Sequence, residues 1–315
     1  MKIKIFLFFF LVFSIYFSFK NAVGQKGAGS ISNQVIQKNG IGIPRLKPND
    51  EVIRHSGYTL SFNCKFKLAY WVAYELTREK TFGNNERTNK FIPDPDSKCT
   101  TATNQDYQNS GYDRGHLAPA GDMKWSSTAM AESFYYSNIS PQNRSFNRGI
   151  WKKLESLVRT WAEEYGDVYI VTGPILMANL PTIGIHHVAV PEYFYKVILD
   201  YTKPDIKGIG FIIPNEKAFE PLQYYAVTID SVEKVTGIDF FPLLPDDQER
   251  IIESSINLKN WSWQSSSSSN TKTNSPSRKD DRSVSVQCSG ITKSGTRCKR
   301  MTKSPNGKCW QHGGD

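Results

Sequence analysis

The sequence predicts an α+β fold with an antiparallel or mixed sheet, on three observations. Three apolar segments, Val168 to Thr172, Phe194 to Leu199 and Gly208 to Ile213, have the length and residue types of buried strands. Between Asn147 and Gly166, Ile150, Leu154, Leu157, Val158 and Trp161 recur at three- and four-residue spacing, the period of a helix with one buried face. Both periods occur along one chain without an internal repeat, so one mixed domain is expected rather than a repeat array.

The elements follow in order. Met1-Lys2-Ile3-Lys4 precedes an apolar run from Ile5 to Phe19, about 15 residues against the roughly 20 of a membrane span. Ala22-Val23-Gly24 offers small residues for cleavage before Gln25, so residues 1–24 read as a signal peptide, with an uncleaved anchor as the alternative. A secreted or periplasmic protein is therefore expected, touching a membrane only through that segment. Residues 25–49, rich in Gly, Asn, Gln and Lys, read as a flexible lead. Tyr58 to Phe62 alternates like a strand, Leu68 to Leu76 suits a central strand with a helix as the alternative, and Asn84 to Lys98 with Pro93 and Pro95 reads as a loop. Asp113 to His116 is expected to be a short loop, with Gly115 permitting a sharp turn and Pro119 stiffening the exit. Ser127 to Tyr136 is helix-like, Tyr224 to Ile229 a fourth strand after the three above, and Asp230 to Thr236 a short helix ended by Gly237. The main domain spans 50–263. A serine-rich linker over 264–284 is too polar to bury a core, and a small module over 285–315 follows.

The formal charge of +9 points to nucleic acid only until it is divided. Residues 265–315 hold ten Lys and Arg against three acids, and the first 24 residues hold three Lys and no acid. Residues 25–264 hold 26 basic and 27 acidic groups, so any phosphate-binding surface on the main domain must come from local arrangement. Of the five cysteines, Cys64 and Cys99 lie in the main domain, where they form either a disulfide or two buried thiols, and Cys288, Cys298 and Cys309 lie in the tail.

Asp113-Arg114-Gly115-His116 sets a guanidinium, a permanently charged fork for phosphate oxygens, beside an imidazole able to take a proton near neutral pH. That pair suits phosphodiester hydrolysis. Downstream stand Asn138-Ile139-Ser140-Pro141-Gln142-Asn143, then Asn147, Trp151 and Glu155. Together these segments resemble the DNA/RNA non-specific endonuclease family, the ββα-metal (His-Me finger) nucleases of endonuclease G type, over roughly Tyr58 to Phe241.

The resemblance implies a ββα-metal fold with a mainly antiparallel sheet flanked by helices, and an Mg²⁺-dependent, sugar-non-specific endonuclease that cleaves DNA and RNA to 5′-phosphate products without a small-molecule cofactor. It makes His116 the general base and Asn147 the direct ligand of a single Mg²⁺, for which Mn²⁺ can substitute. Glu155, eight residues on, would lie about 12 Å along and about 80° around an uninterrupted helix, and so would hold a metal-bound water rather than the ion itself. Asn138 matches a position that organises the site, Arg114 the motif arginine, and Arg87 an upstream arginine that contacts phosphate. Asp113 is expected to shape its segment. Each has a plainer alternative: Asn147 as a helix N-cap, Glu155 facing solvent, Asn138 as a turn former, Arg87 as a surface charge. His186 and His187 are adjacent, would face opposite ways on a strand, and read as loop or sheet residues; His55 shows no partner.

In the tail, Cys288, Cys298, Cys309 and His312 give C-x9-C-x10-C-x2-H among Lys293, Arg297, Lys299, Arg300, Lys303 and Lys308. The segment looks like small Cys3His modules attached to diverse microbial proteins, and its donor set suits Zn²⁺, with a disulfide plus a free thiol, or disorder, as rivals. Nucleic acid or an envelope surface would suit its charge. Two further function classes stand beside the nuclease: an inactive nucleic-acid-binding or envelope-associated protein on the same scaffold, and a phosphodiesterase acting on small nucleotides or a modified polymer.

Overall fold

A strand that is apolar on both faces belongs inside a sheet, and Leu68–Leu76 lies there. The computed structural model describes residues 40–264, 286–292, 295–302, 304 and 306–313. The expected signal segment 1–24, most of the lead and most of the linker lie outside those residues. Among the described residues, no helix is long and apolar enough to cross a membrane.

The strands are β1 (Glu51–Arg54), β2 (Thr59–Asn63), β3 (Leu68–Leu76), β4 (Asp113–His116), β5 (Ile139–Gln142), β6 (Val168–Pro174), β7 (Thr182–Ile183), β8 (Val188–Ala189), β9 (Tyr193–Asp200), β10 (Lys207–Pro214) and β11 (Ala226–Val227). Seven of them form one sheet in the order β1-β2-β3-β6-β9-β10-β11, with every neighbouring pair antiparallel. The longer helices are α1 (Ser127–Glu132), α2 (Lys152–Tyr165), α3 (Ile229–Thr236) and α4 (Asp246–Ser254). The α+β class with an antiparallel sheet and flanking helices is therefore as the sequence indicates.

Strand alternation sorts side chains onto two cores. Val168 and Ile170 of β6, with Phe194 and Ile198 of β9, face the layer of Leu154, Leu157, Val158 and Trp161 from α2. Tyr169, Val171, Val197 and Leu199 face Ile229 and Val232 of α3, Ile252 of α4, and Phe240 and Phe241. Burial on both sides is why the three apolar segments read as continuous runs rather than as alternating ones.

Four local expectations change. Asp113 to His116 is a strand, not a loop, paired antiparallel with Ile139 to Gln142 as a hairpin separate from the large sheet. Gly115 is needed for close packing and not for a turn: a Cβ there would lie 2.1 Å from the Gln142 side chain. The fourth strand shrinks to Ala226–Val227 behind a 3₁₀ turn at Leu222–Tyr225, while α4 was not expected at all. Periodicity over so short a stretch does not separate these forms. Cys64 and Cys99, left open above, are joined by a disulfide.

The chain divides into two compact units, Met1–Ser266 and Ser267–Asp315. In the second, β12 (Val286–Gln287) pairs antiparallel with β13 (Met301–Thr302).

Candidate active site

The β4–β5 hairpin and the start of α2 build the site together. Strand register pairs His116 with Ile139 and Arg114 with Pro141, and alternation puts Arg114 and His116 on one face. Asn138 is fully buried at the foot of β5. Its side-chain oxygen accepts from the Ala118 N–H at 2.9 Å, and its amide donates to the carbonyls of Ala118 at 2.9 Å and Ser133 at 2.8 Å. With every polar atom committed, this side chain fixes the backbone just after His116. The indole N–H of Trp151 reaches the His116 carbonyl at 3.4 Å, tying α2 to the hairpin.

His116 is 7 % exposed, packed edge-on against Phe134 at 4.8 Å between centroids and tilted against Phe91 at 5.6 Å. Its Nε2 is buried with no hydrogen-bond partner among the described residues. Burial, reinforced by the charges of Arg87 and Arg114, lowers the imidazole pKa to about 3, so the ring is neutral at pH 7. A neutral ring with a bare nitrogen can accept a proton. Arg114 stacks over Phe91 at 4.3 Å and donates to Asn104 at 2.5 Å. Arg87 lies over Phe134 at 4.9 Å, and its charge acts on both His116 and Glu155.

Asn147 does not cap the helix. That role falls to Asn143, whose side chain accepts from the Ser145 N–H at 2.8 Å. Asn147 instead opens a π-helical turn, Asn147–Trp151, with Gly149 at φ −103° and ψ −107°. Its amide nitrogen donates to Asp113 Oδ2 at 3.0 Å, leaving the amide oxygen without a partner among the described residues. Asp113 is held in turn by Arg148 through two hydrogen bonds of 2.7 and 2.8 Å, with Arg144 at 3.7 Å. These contacts hold the Asp113 carboxyl below the usual carboxylate range against the desolvation of partial burial.

The π-turn breaks the regular helix assumed between Asn147 and Glu155, so the ideal rise and rotation do not apply there. Glu155 does not face open solvent; burial raises its pKa, opposed by the charge of Lys196. Three members of that cluster were not picked out from the sequence. Lys196 is fully buried on β9, its Nζ 4.8 Å from the Trp151 ring centroid and without a hydrogen-bond partner among the described residues, and desolvation lowers its pKa. Asp122 pairs with Arg159 at 2.5 Å and accepts from the Tyr74 hydroxyl at 2.8 Å. The available signal was a lysine inside the apolar run Phe194 to Leu199.

A cleft of about 690 Å³ has Arg87, Arg114, Arg144, Arg148, Asp113 and Asn147 in its wall. Although the main unit is nearly neutral, four arginines converge here. The two remaining histidine sites of the main unit are each hydrogen-bonded to a carboxylate. His186 binds Asp106 at 2.8 Å in the turn between β7 and β8, where His187 takes φ 54°. His55, expected to lack a partner, meets buried Asp94 at 2.9 Å.

With this geometry in view, residues 39–247 match the family described as DNA/RNA non-specific endonuclease. The chain is 39 % identical over 218 residues to Nuclease EXOG, mitochondrial, of Xenopus laevis, covering 63 % of this chain and 60 % of that one. It thus spans about three fifths of that relative's length. Endonuclease G, mitochondrial, of Homo sapiens is 34 % identical over 64 % of this chain and 71 % of its own. A crystal structure of the EndoG/EndoGI complex, concerned with EndoG inhibition, superposes with a TM-score of 0.61 and 32 % identity over 64 % of this chain and 90 % of that one. The expectation of a secreted or periplasmic protein is overturned by these relatives, which are named as mitochondrial nucleases. The expectation rested only on the charged start and apolar run of residues 1–24, which lie outside the described residues.

Proposed function

This chain belongs to the DNA/RNA non-specific endonuclease family, and from that premise we propose that it hydrolyses internal phosphodiester bonds of DNA and RNA, leaving 5′-phosphates, with His116 as general base and Mg²⁺ as cofactor. The observation that carries this reading is the buried, unpartnered Nε2 of His116 between Arg87 and Arg114, beside an arginine-lined cleft.

Arg87 and Arg114 bind the scissile phosphate, and Arg144 and Arg148 extend positive charge along the polymer. Contacts of this kind read backbone and not base edges, which accounts for low sequence preference. The anion also tunes the base. Burial, with two guanidinium charges added to it, holds the imidazole pKa low; a phosphate seated between the guanidiniums offsets their part of that field, so the pKa rises toward the range where proton transfer is efficient. His116 Nε2 then takes the proton of the attacking water, and Phe91 and Phe134 keep the ring fixed.

The residues present fit a magnesium ion. Asn147 offers a free amide oxygen oriented by its bond to Asp113, Mg²⁺ favours oxygen donors, and Glu155 is a second oxygen donor suited to contact through water. When bound, the ion would neutralise phosphate charge and stabilise the departing 3′-oxygen. Burial disfavours the charged form of Glu155; the charges of Lys196 and Arg159 favour it, and that of Asp122 opposes it.

The test incubates the purified chain with plasmid DNA and with RNA, in Mg²⁺ or EDTA, beside His116→Ala. Metal-dependent loss of both polymers with new 5′-phosphate ends, absent in the variant, is expected. A folded, metal-supplied chain that cuts neither polymer, or an active His116→Ala chain, would overturn the reading.

A further inference from the structure

Among its described residues, the second compact unit has almost nothing apolar to fold around. Among its described residues, the buried hydrophobic cluster consists of Cys288, Cys298 and Cys309, at 0, 5 and 3 % exposure. Val286, Ile291 and Met301 are 45, 59 and 60 % exposed. A module of about 30 residues without an apolar core requires a staple.

The sulfur atoms lie where a staple would bind. The donor atoms of Cys288, Cys298, Cys309 and His312 all fall within 4.8 Å of one another. His312 Nδ1 lies 3.4 Å from Cys288 Sγ and 3.4 Å from Cys309 Sγ, and Cys298 Sγ lies 4.0 Å from Cys309 Sγ. Zn–S and Zn–N bonds of about 2.3 and 2.0 Å at tetrahedral angles require edges of about 3.8 Å between sulfurs and about 3.5 Å from sulfur to nitrogen. The observed spacings match those edges. They do not match a disulfide, although Cys64 and Cys99 in the same chain are bonded at 2.06 Å.

The surrounding backbone serves sulfur as an anion. The N–H groups of Gly290 and Cys309 point at Cys288 Sγ from 3.3 and 3.2 Å. Gly290 leaves room for the ligand ring, since a Cβ there would lie 2.3 Å from His312 Cγ. Three thiolates and a neutral imidazole around Zn²⁺ leave one net negative charge, beside Arg297, which donates to the Cys288 carbonyl at 3.2 Å.

We infer that Cys288, Cys298, Cys309 and the Nδ1 of His312 form a closed, structural Zn²⁺ site, and that this metal is what folds the C-terminal module. Four protein donors leave no open position for chemistry, so the site is separate from the nuclease reading and stands whether or not that reading holds. Binding displaces the thiol protons and involves no redox change.

The test uses the whole purified chain. Metal analysis, intact mass before and after reduction, and thiol titration before and after zinc extraction with a mercurial or a strong chelator are read together. Expected are about one zinc per chain, the mass of a single disulfide, and three thiols that react only once zinc is gone. Cobalt substitution should give tetrahedral d–d bands. Cys298→Ser and His312→Ala should lower zinc retention at least tenfold, while His116→Ala retains it fully. A chain with a second disulfide and no zinc, or with three reactive thiols and no zinc after refolding in its presence, would refute the site.

Discussion

The unfolded chain can protonate His116 at its ordinary pKa of 6.5, whereas the folded chain resists until about pH 3. A depressed histidine pKa means that the unfolded state binds the proton first as pH falls, so folding stability is lost below 6.5 until the folded group also titrates near 3. At pH 5 the unfolded state gains about 2 kcal/mol from this proton, against about 0.2 kcal/mol at pH 7. The ring is 7 % exposed, so solvent screening takes away little. His116→Asn removes the titration and keeps a polar side chain. Urea unfolding of both chains at pH 7, 6 and 5, at one ionic strength and without metal or polymer, isolates the effect. Fluorescence reports the main unit, which holds Trp71, Trp125, Trp151, Trp161, Trp261 and Trp263. The native chain should lose about 2 kcal/mol more than the variant between pH 7 and pH 5, since every other titration is common to both. Equal losses would show that His116 is not held neutral by burial and its arginines, and the proposed base would lose its physical footing.

Two further perturbations test the frame around the site. Gly115→Ala places a methyl 2.1 Å from the fully buried Gln142 side chain and should cost about 1–3 kcal/mol, with part of it recovered by Gln142→Ala in the same chain; additive losses would exclude that contact as the cause. Replacing Cys64 and Cys99 by Ser opens a loop with a sequence separation of 35 and should cost roughly 4 kcal/mol in urea unfolding under oxidising conditions, whereas an unchanged midpoint would mean that the unfolded chain is not constrained by this bond.

What was legible in the sequence was local. The helix through Leu154 and Trp161, the three apolar strands and the central Leu68–Leu76 strand all depend on periods that a window of neighbouring residues displays. Arg114 and His116 could be singled out because they are close in sequence and chemically unusual together. Lys196 could not be given a role in that way. It comes within reach of Glu155 only because β9 lies beside β6 with its even-numbered residues facing α2. Asn143 and Asn147 are both plausible caps by composition, and only the π-turn decides that one caps and the other offers its amide oxygen. Tyr224 to Ile229 misled because so short a segment obtains its hydrogen bonds from whichever neighbour the fold supplies.

The sequence by itself therefore determined the α+β class, the motif residues and the C-terminal set of sulfur and nitrogen donors, since each is a matter of period, residue chemistry or spacing. Only the tertiary structure decided the rest. Pairing Asp113–His116 with Ile139–Gln142 turned an expected loop into a hairpin, and packing against Phe91, Phe134 and two arginines left His116 neutral. Burial and charge at one atom are set by groups distant along the chain, and no local window contains them.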